Sequence, residues 1–170
     1  KEKSKKHKKV AQDLYQELKW SYHQLLILAR DIDVLLGQGM EAEAKPLEIE
    51  AINIYTHEAD KYIKAQCAYL LSRAYGIHNR VNLQLEYLFQ AEDLLTEIGE
   101  KDLLKPIYIS VAIVYEWYLT NSEKALEYEH KELNLRKEIN FYERVAYTYL
   151  LISESLLGLK RIQDFPPEYK

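Results

Sequence analysis

Apolar positions in this chain recur every three or four residues, over segments separated by short polar breaks. Leu14, Leu18, Tyr22, Leu25, Leu28 and Ile32 follow these steps, which puts them on one face of a helix predicted over about residues 8–36. Gly37-Gln38-Gly39 ends it, since glycine adopts the left-handed cap conformation at little cost. A second helix is predicted over about residues 41–57. Pro46 fits a helix only in its first turn, which moves the expected start towards Lys45. The third covers about residues 60–77, with Leu70, Leu71, Ala74 and Tyr75 facing inward. A tight turn at His78-Asn79-Arg80 leads into a fourth, which runs to about Ile98 and is closed by Gly99. The fifth spans about residues 102–119 with Pro106 near its start. Asn121 and Ser122 then offer side-chain oxygens to cap a sixth over about residues 123–139. Asn140 marks a break before a seventh over about residues 141–159. Pro166-Pro167 stops helix formation and predicts an irregular tail. Seven helices with short links and no strand imply antiparallel neighbours and an all-α fold.

The helices repeat. Helix three reads Ala68-Tyr69-Leu70-Leu71-Ser72-Arg73-Ala74-Tyr75, and helix five reads Tyr108-Ile109-Ser110-Val111-Ala112-Ile113-Val114-Tyr115. In both, a large apolar residue precedes a small one and an aromatic follows three later. Ser72 and Ala112 are 40 apart, and Ser153, in Ile152-Ser153 with Leu156, follows Ala112 by 41. The even-numbered helices keep the same intervals, with Ala51, Ala91 and Glu132 in one register and Ala44, Gln84 and Ala125 in another. A small residue at a fixed place lets the paired helix approach closely, and the aromatic one turn later fills the gap. Each helix pair buries only one side alone, so neighbours must stack to close a continuous core.

This pattern resembles the tetratricopeptide repeat over roughly residues 25–159, and Glu123-Lys124-Ala125-Leu126-Glu127-Tyr128 is similar to the start of that family's second helix. The resemblance implies antiparallel helix–turn–helix units stacked as a right-handed superhelix. The period exceeds the family's usual length of about 34 residues, Glu132 occupies a small slot, and the closing proline is missing. Longer repeats of this sort are similar to those of bacterial regulators such as peptide-pheromone receptors, and Lys131-Glu132-Leu133-Asn134-Leu135-Arg136-Lys137-Glu138 shares their character. A plain helical bundle or another α-solenoid is the alternative fold. Helix seven has no partner, so it is either a cap or half of a further repeat.

Composition narrows the function. With 48% hydrophobic and 29% charged residues in 170, the chain has enough apolar content for one ordinary core. We expect a basic tail or first helical turn over residues 1–9, a repeat domain over 10–159 and a tail over 160–170. The first nine residues carry six Lys and one Glu, leaving an acidic remainder under the formal net charge of −4. That balance argues against a nucleic-acid binder. No apolar run reaches the roughly 18 residues of a membrane span, and no secretory signal is visible. The single cysteine, Cys67, fits a reducing compartment. The chain begins at Lys1, and we read it as a piece of a longer protein or a processed form.

We identify no catalytic constellation, metal site or cofactor motif. The five histidines form no spaced metal pair, and Cys67 has no basic neighbour at helical spacing. Glu127–Lys131 and Glu132–Arg136 are expected as four-apart ion pairs supporting exposed helices. The family resemblance implies a ligand groove lined by the first helix of each pair. The corresponding offsets fall on His23, Leu26, Arg30 and Asp33; on Gln66, Tyr69, Arg73 and Ile77; on Ile109, Ile113, Glu116 and Trp117; and on Tyr147, Leu150, Glu154 and Leu157. The candidate set is Arg30, Gln66, Tyr69, Arg73, Ile113, Glu116, Trp117, Tyr147 and Glu154. Tyr, Trp and Arg dominate interface energetics, so the expectation is a cytoplasmic, non-enzymatic module that binds a protein or peptide. The alternatives are a self-associating assembly element, or a fragment of a signalling enzyme or transcription regulator whose output domain is absent.

Overall fold

The computed structural model describes His7, Lys9, Val10, Asp13 and residues 21–139 and 145–160. Among these residues the fold is all-α, with seven helices and no strand: α1 Ser21–Gly37, α2 Glu41–His57, α3 Lys61–Ile77, α4 Val81–Ile98, α5 Lys101–Ile113, α6 Ser122–Glu138 and α7 Val145–Gly158. Val114–Tyr118 continues α5 as a π turn. The expected break at Asn140, the start of the seventh helix and the tail beyond Lys160 lie outside the described residues, as does most of the segment before Ser21. The chain divides into two compact units, Lys1–Leu94 and Leu95–Lys170. In the first, α1 packs on both α2 and α3; in the second, α6 packs on both α5 and α7.

Capping chemistry sets several boundaries. Asp60 caps α3 by accepting from Ile63 N at 3.0 Å, and Asn121 caps α6 by accepting from Lys124 N at 3.1 Å. Ser122, expected to share the second cap, instead donates to Glu116 Oε1 at 3.1 Å. Pro46 departs from its expected place in the first turn, whereas Pro106 lies near the start of its helix as expected. Pro46 and Pro106 are each the sixth residue of their helices, which begin at Glu41 and Lys101. The i−4 carbonyls that a proline N cannot serve, those of Ala42 and Asp102, belong to exposed residues, where the break in the ladder is tolerated.

The repeat is written into the backbone. Left-handed residues close the odd-numbered helices at Gly39 (φ 73°), Asn79 (φ 56°), Thr120 (φ 48°) and Lys160 (φ 57°), at intervals of 40, 41 and 40. Ala51, Ala91 and Glu132 share one register and are all fully buried, as are Ala44 and Ala125 in the other. Ser72 and Ala112 are buried as small core residues, whereas Ser153 is half-buried and Ser155 is the buried serine of α7.

The π turn accounts for the longer middle interval. Arg80 N donates to Tyr75 O at 3.0 Å, five residues back, while Asn121 N donates to Tyr115 O at 2.8 Å, six back. Leu119 N donates to Val114 O at 3.2 Å, an i→i−5 bond that lodges one additional residue in the turn.

Glu132 and Arg136 also differ from expectation. They form an ion pair in the core, not on an exposed face, and Thr148 of α7 donates to Glu132 Oε2 at 2.6 Å. The slot filled by alanine in the two earlier repeats here holds a carboxylate, which is retained because a buried guanidinium and a hydroxyl satisfy it. Glu127–Lys131 is exposed as expected, with Nζ 3.3 Å from Oε1.

Candidate functional site

The α1–α3 face of the first unit holds a concavity of about 190 Å³, lined by Leu26, Ala29, Arg30, Asp33, Leu70, Arg73, Ala74 and Ile77. It exists because α1 packs directly against α3. Residues three and four apart on each helix then face one another across the seam: 26, 29, 30 and 33 on α1, and 70, 73, 74 and 77 on α3. Leu26, Ala29, Leu70, Ala74 and Ile77 supply apolar surface, and Arg30 and Arg73 are exposed above it. Neither guanidinium has a hydrogen-bond or ion-pair partner among the described residues. Asp33, the single acidic lining residue, lies 3.1 Å from His78 Nε2 through its Oδ1, so it is engaged from the α3–α4 turn.

Of the nine candidate residues, Arg30 and Arg73 therefore lie together in this concavity, with the expected offsets Leu26, Asp33 and Ile77 beside them. Gln66 and Tyr69 are half-buried on α3 outside its lining. The remaining five belong to the second unit. Ile113 and Tyr147 are half-buried, while Trp117 and Glu154 are exposed. Glu116 is held inward by two hydroxyls, accepting from Ser122 at 3.1 Å and from Ser155 at 3.4 Å. The π turn re-aims the side chains that follow Ile113, and nothing in the 3.6-residue pattern marks where that extra residue lodges.

A second polar assembly was missed from sequence. Glu129 of α6 is 3% exposed and Ser155 of α7 is fully buried, with Ser155 Oγ 2.9 Å from Glu129 Oε1. Glu129 Oε2 is buried with no hydrogen-bond partner among the described residues. Burial first, then the carboxylates of Glu116 and Glu154, lifts the Glu129 carboxyl to about 7 against the lowering effect of Ser155. α6 is rich in Lys and Glu, so nothing in its composition separates this carboxylate from its solvated neighbours.

Cys67 is buried, and burial followed by the nearby charge of Glu58 pushes its thiol up to about 12, which suits a core residue better than a nucleophile. Among the described residues no group of three or more His, Cys, Asp or Glu is placed to hold a metal ion. No helix there is long and apolar enough to cross a membrane. No protein-family model matches the sequence, and no curated protein matches it.

Proposed function

We propose that this chain is a protein- or peptide-binding repeat module of the tetratricopeptide kind, without chemistry of its own, that receives part of its partner in the α1–α3 concavity. The supporting observation is the pair of guanidiniums, Arg30 and Arg73, without a partner among the described residues and above an apolar floor. An apolar side chain of the partner lies on Leu26, Leu70 and Ile77. A neighbouring carboxylate accepts charge-assisted hydrogen bonds from the two arginines. Apolar burial supplies affinity, and the guanidiniums fix register. The half-buried Tyr69 and Gln66 extend the same helix for a longer segment. In this reading the module is the sensing or docking part of a larger cytoplasmic bacterial regulator whose output lies outside these residues.

The test is a peptide array of acidic–aliphatic sequences probed with the wild type and with Arg30→Ala/Arg73→Ala, with helicity followed by circular dichroism. Binding that disappears in the double variant at unchanged helicity supports the groove, and undiminished binding overturns it. A second reading, self-association, draws on the exposed run Trp117-Tyr118-Leu119. Mass that rises with concentration in sedimentation favours it, and a strict monomer dismisses it.

A further inference from the structure

Independently of the groove, the hydroxyl of Ser155 faces two carboxylates, Glu129 Oε1 at 2.9 Å and Glu116 Oε2 at 3.4 Å. A serine hydroxyl carries one hydrogen and cannot make a full hydrogen bond to each of them. With both carboxylates ionised, one contact is a lone pair against a lone pair, in a place from which water is excluded. One added proton resolves the count. A neutral Glu129 donates its O–H to Ser155 Oγ, Ser155 donates to Glu116 Oε2, and Ser122 donates to Glu116 Oε1 at 3.1 Å. Every hydrogen in this chain then has an acceptor. The oxygen left over, Glu129 Oε2, is the carbonyl of a neutral acid, which costs less to bury unpaired than a carboxylate oxygen.

The proton belongs to Glu129 for two reasons. Glu116 is half-buried, receives a second hydroxyl, and meets it at Ser122, the first residue of α6, where the helix terminus favours negative charge. Glu129 is almost fully buried, and among the described residues the charged groups acting on it are both carboxylates, Glu116 from the π turn and Glu154 from α7. On its own helix, Glu132 is occupied by Arg136 and Thr148. α5 presents Tyr108, which shares Lys131 with Tyr128. The three ends of the chain lie on the π turn, α6 and α7. Gly158 keeps the approach open, since a Cβ there would lie 2.8 Å from Ser122 Oγ.

We infer that one proton shared along Glu129, Ser155 and Glu116 latches the π turn to α6 and α7, and that its loss frees the adjoining Trp117-Tyr118-Leu119 surface. Trp117, 64% exposed, directly follows Glu116, so it reports on the latch while taking no part in it.

The chain has two tryptophans, and Trp20→Phe makes Trp117 the sole one, excited selectively beyond the tyrosine absorption band. Its fluorescence anisotropy is followed from pH 5 to 9 in the otherwise unaltered protein and with Glu129→Gln added. The expected result is a fall in anisotropy with a midpoint near 7 in the former. No step is expected in the glutamine variant, whose amide donates to Ser155 at every pH. A flat profile in the former, or an equal step in both, overturns the latch. Should Glu129→Gln fail to fold, infrared spectroscopy of the unmodified protein decides. A neutral carboxylic-acid carbonyl band present at pH 6 and gone by pH 8 supports the shared proton, and its absence at pH 6 overturns it.

Discussion

Tyr75 and Tyr87 stack, their ring centroids 5.6 Å apart and their planes 16° from parallel. The same pair recurs one repeat later as Tyr115 and Tyr128, at 6.3 Å and 25°. Each joins the last turn of an odd-numbered helix to the middle of the helix that follows, so the aromatic closes the unit where a small residue has let the backbones approach. Tyr55 meets the first pair edge-on at 5.5 Å from Tyr87. Burial lifts the phenol of Tyr87 to about 12, with Tyr75, Glu86 and Tyr55 adding to the effect. We expect Tyr87→Ala to cost about 3–5 kcal/mol, in the range of large core aromatics. A double-mutant cycle with Tyr75→Ala should return a coupling of about 0.5–1.5 kcal/mol in urea unfolding.

The buried Glu132–Arg136 pair makes an asymmetric prediction. Glu132→Ala removes the carboxylate that Arg136 and Thr148 meet in the core and should cost about 3–5 kcal/mol. The double change Glu132→Ala/Arg136→Met restores the alanine that holds this register at positions 51 and 91, and should recover most of that loss. Equal destabilisation in the single and double variants would contradict this account.

Thr120 is a β-branched residue held at φ 48°, where glycine and asparagine are at ease and other L residues pay roughly 1–2 kcal/mol. Its counterparts one and two repeats earlier are Asn79 and Gly39. Thr120→Asn should therefore raise stability by about 1 kcal/mol, measurable as a higher urea midpoint without change in slope.

Stability should also depend on pH through Glu129. Its carboxyl is raised from 4.5 to about 7 in the folded state, so the folded chain holds this proton where the unfolded chain has released it. The contribution is fully present below 4.5, declines between 4.5 and 7, and is flat above that. Within that window the slope is at most about 1.4 kcal/mol per pH unit. Urea midpoints compared at pH 5 and 8 should differ in the wild type, and differ less in Glu129→Gln.

Cys67 should resist alkylation in the native state at pH 8 and react promptly in urea, since the thiolate is the nucleophile and burial suppresses it.

The repeat was legible because its signal is steric. Alanine at 44, 51 and 91 and the aromatics at 75 and 115 report how closely helices approach, and each does so in its own sequence neighbourhood. Arg30 and Arg73 came from the offsets that the family resemblance implies, and both line the α1–α3 concavity. The buried carboxylates were not legible. Glu129 and Glu132 sit in a run of Lys and Glu that reads as solvent-facing, and their partners Ser155 and Thr148 lie on another helix. Pro46 misled because a missing N–H matters only where its acceptor has no alternative. The interval of 41 was visible, but a count cannot say at which bond the surplus is absorbed.

That surplus residue has a further consequence for how the chain tolerates changes in length. One residue inserted into an α-helix turns everything after it by about 100° and carries the wrong faces into the core. Here Val114–Tyr118 takes the residue up within one turn, and the left-handed corner at Thr120 resets the direction before α6 begins. The π turn is thus a length buffer: a one-codon gain is confined between Tyr115 and Ser122, and a one-codon loss in that stretch would return the segment to the spacing of its neighbours.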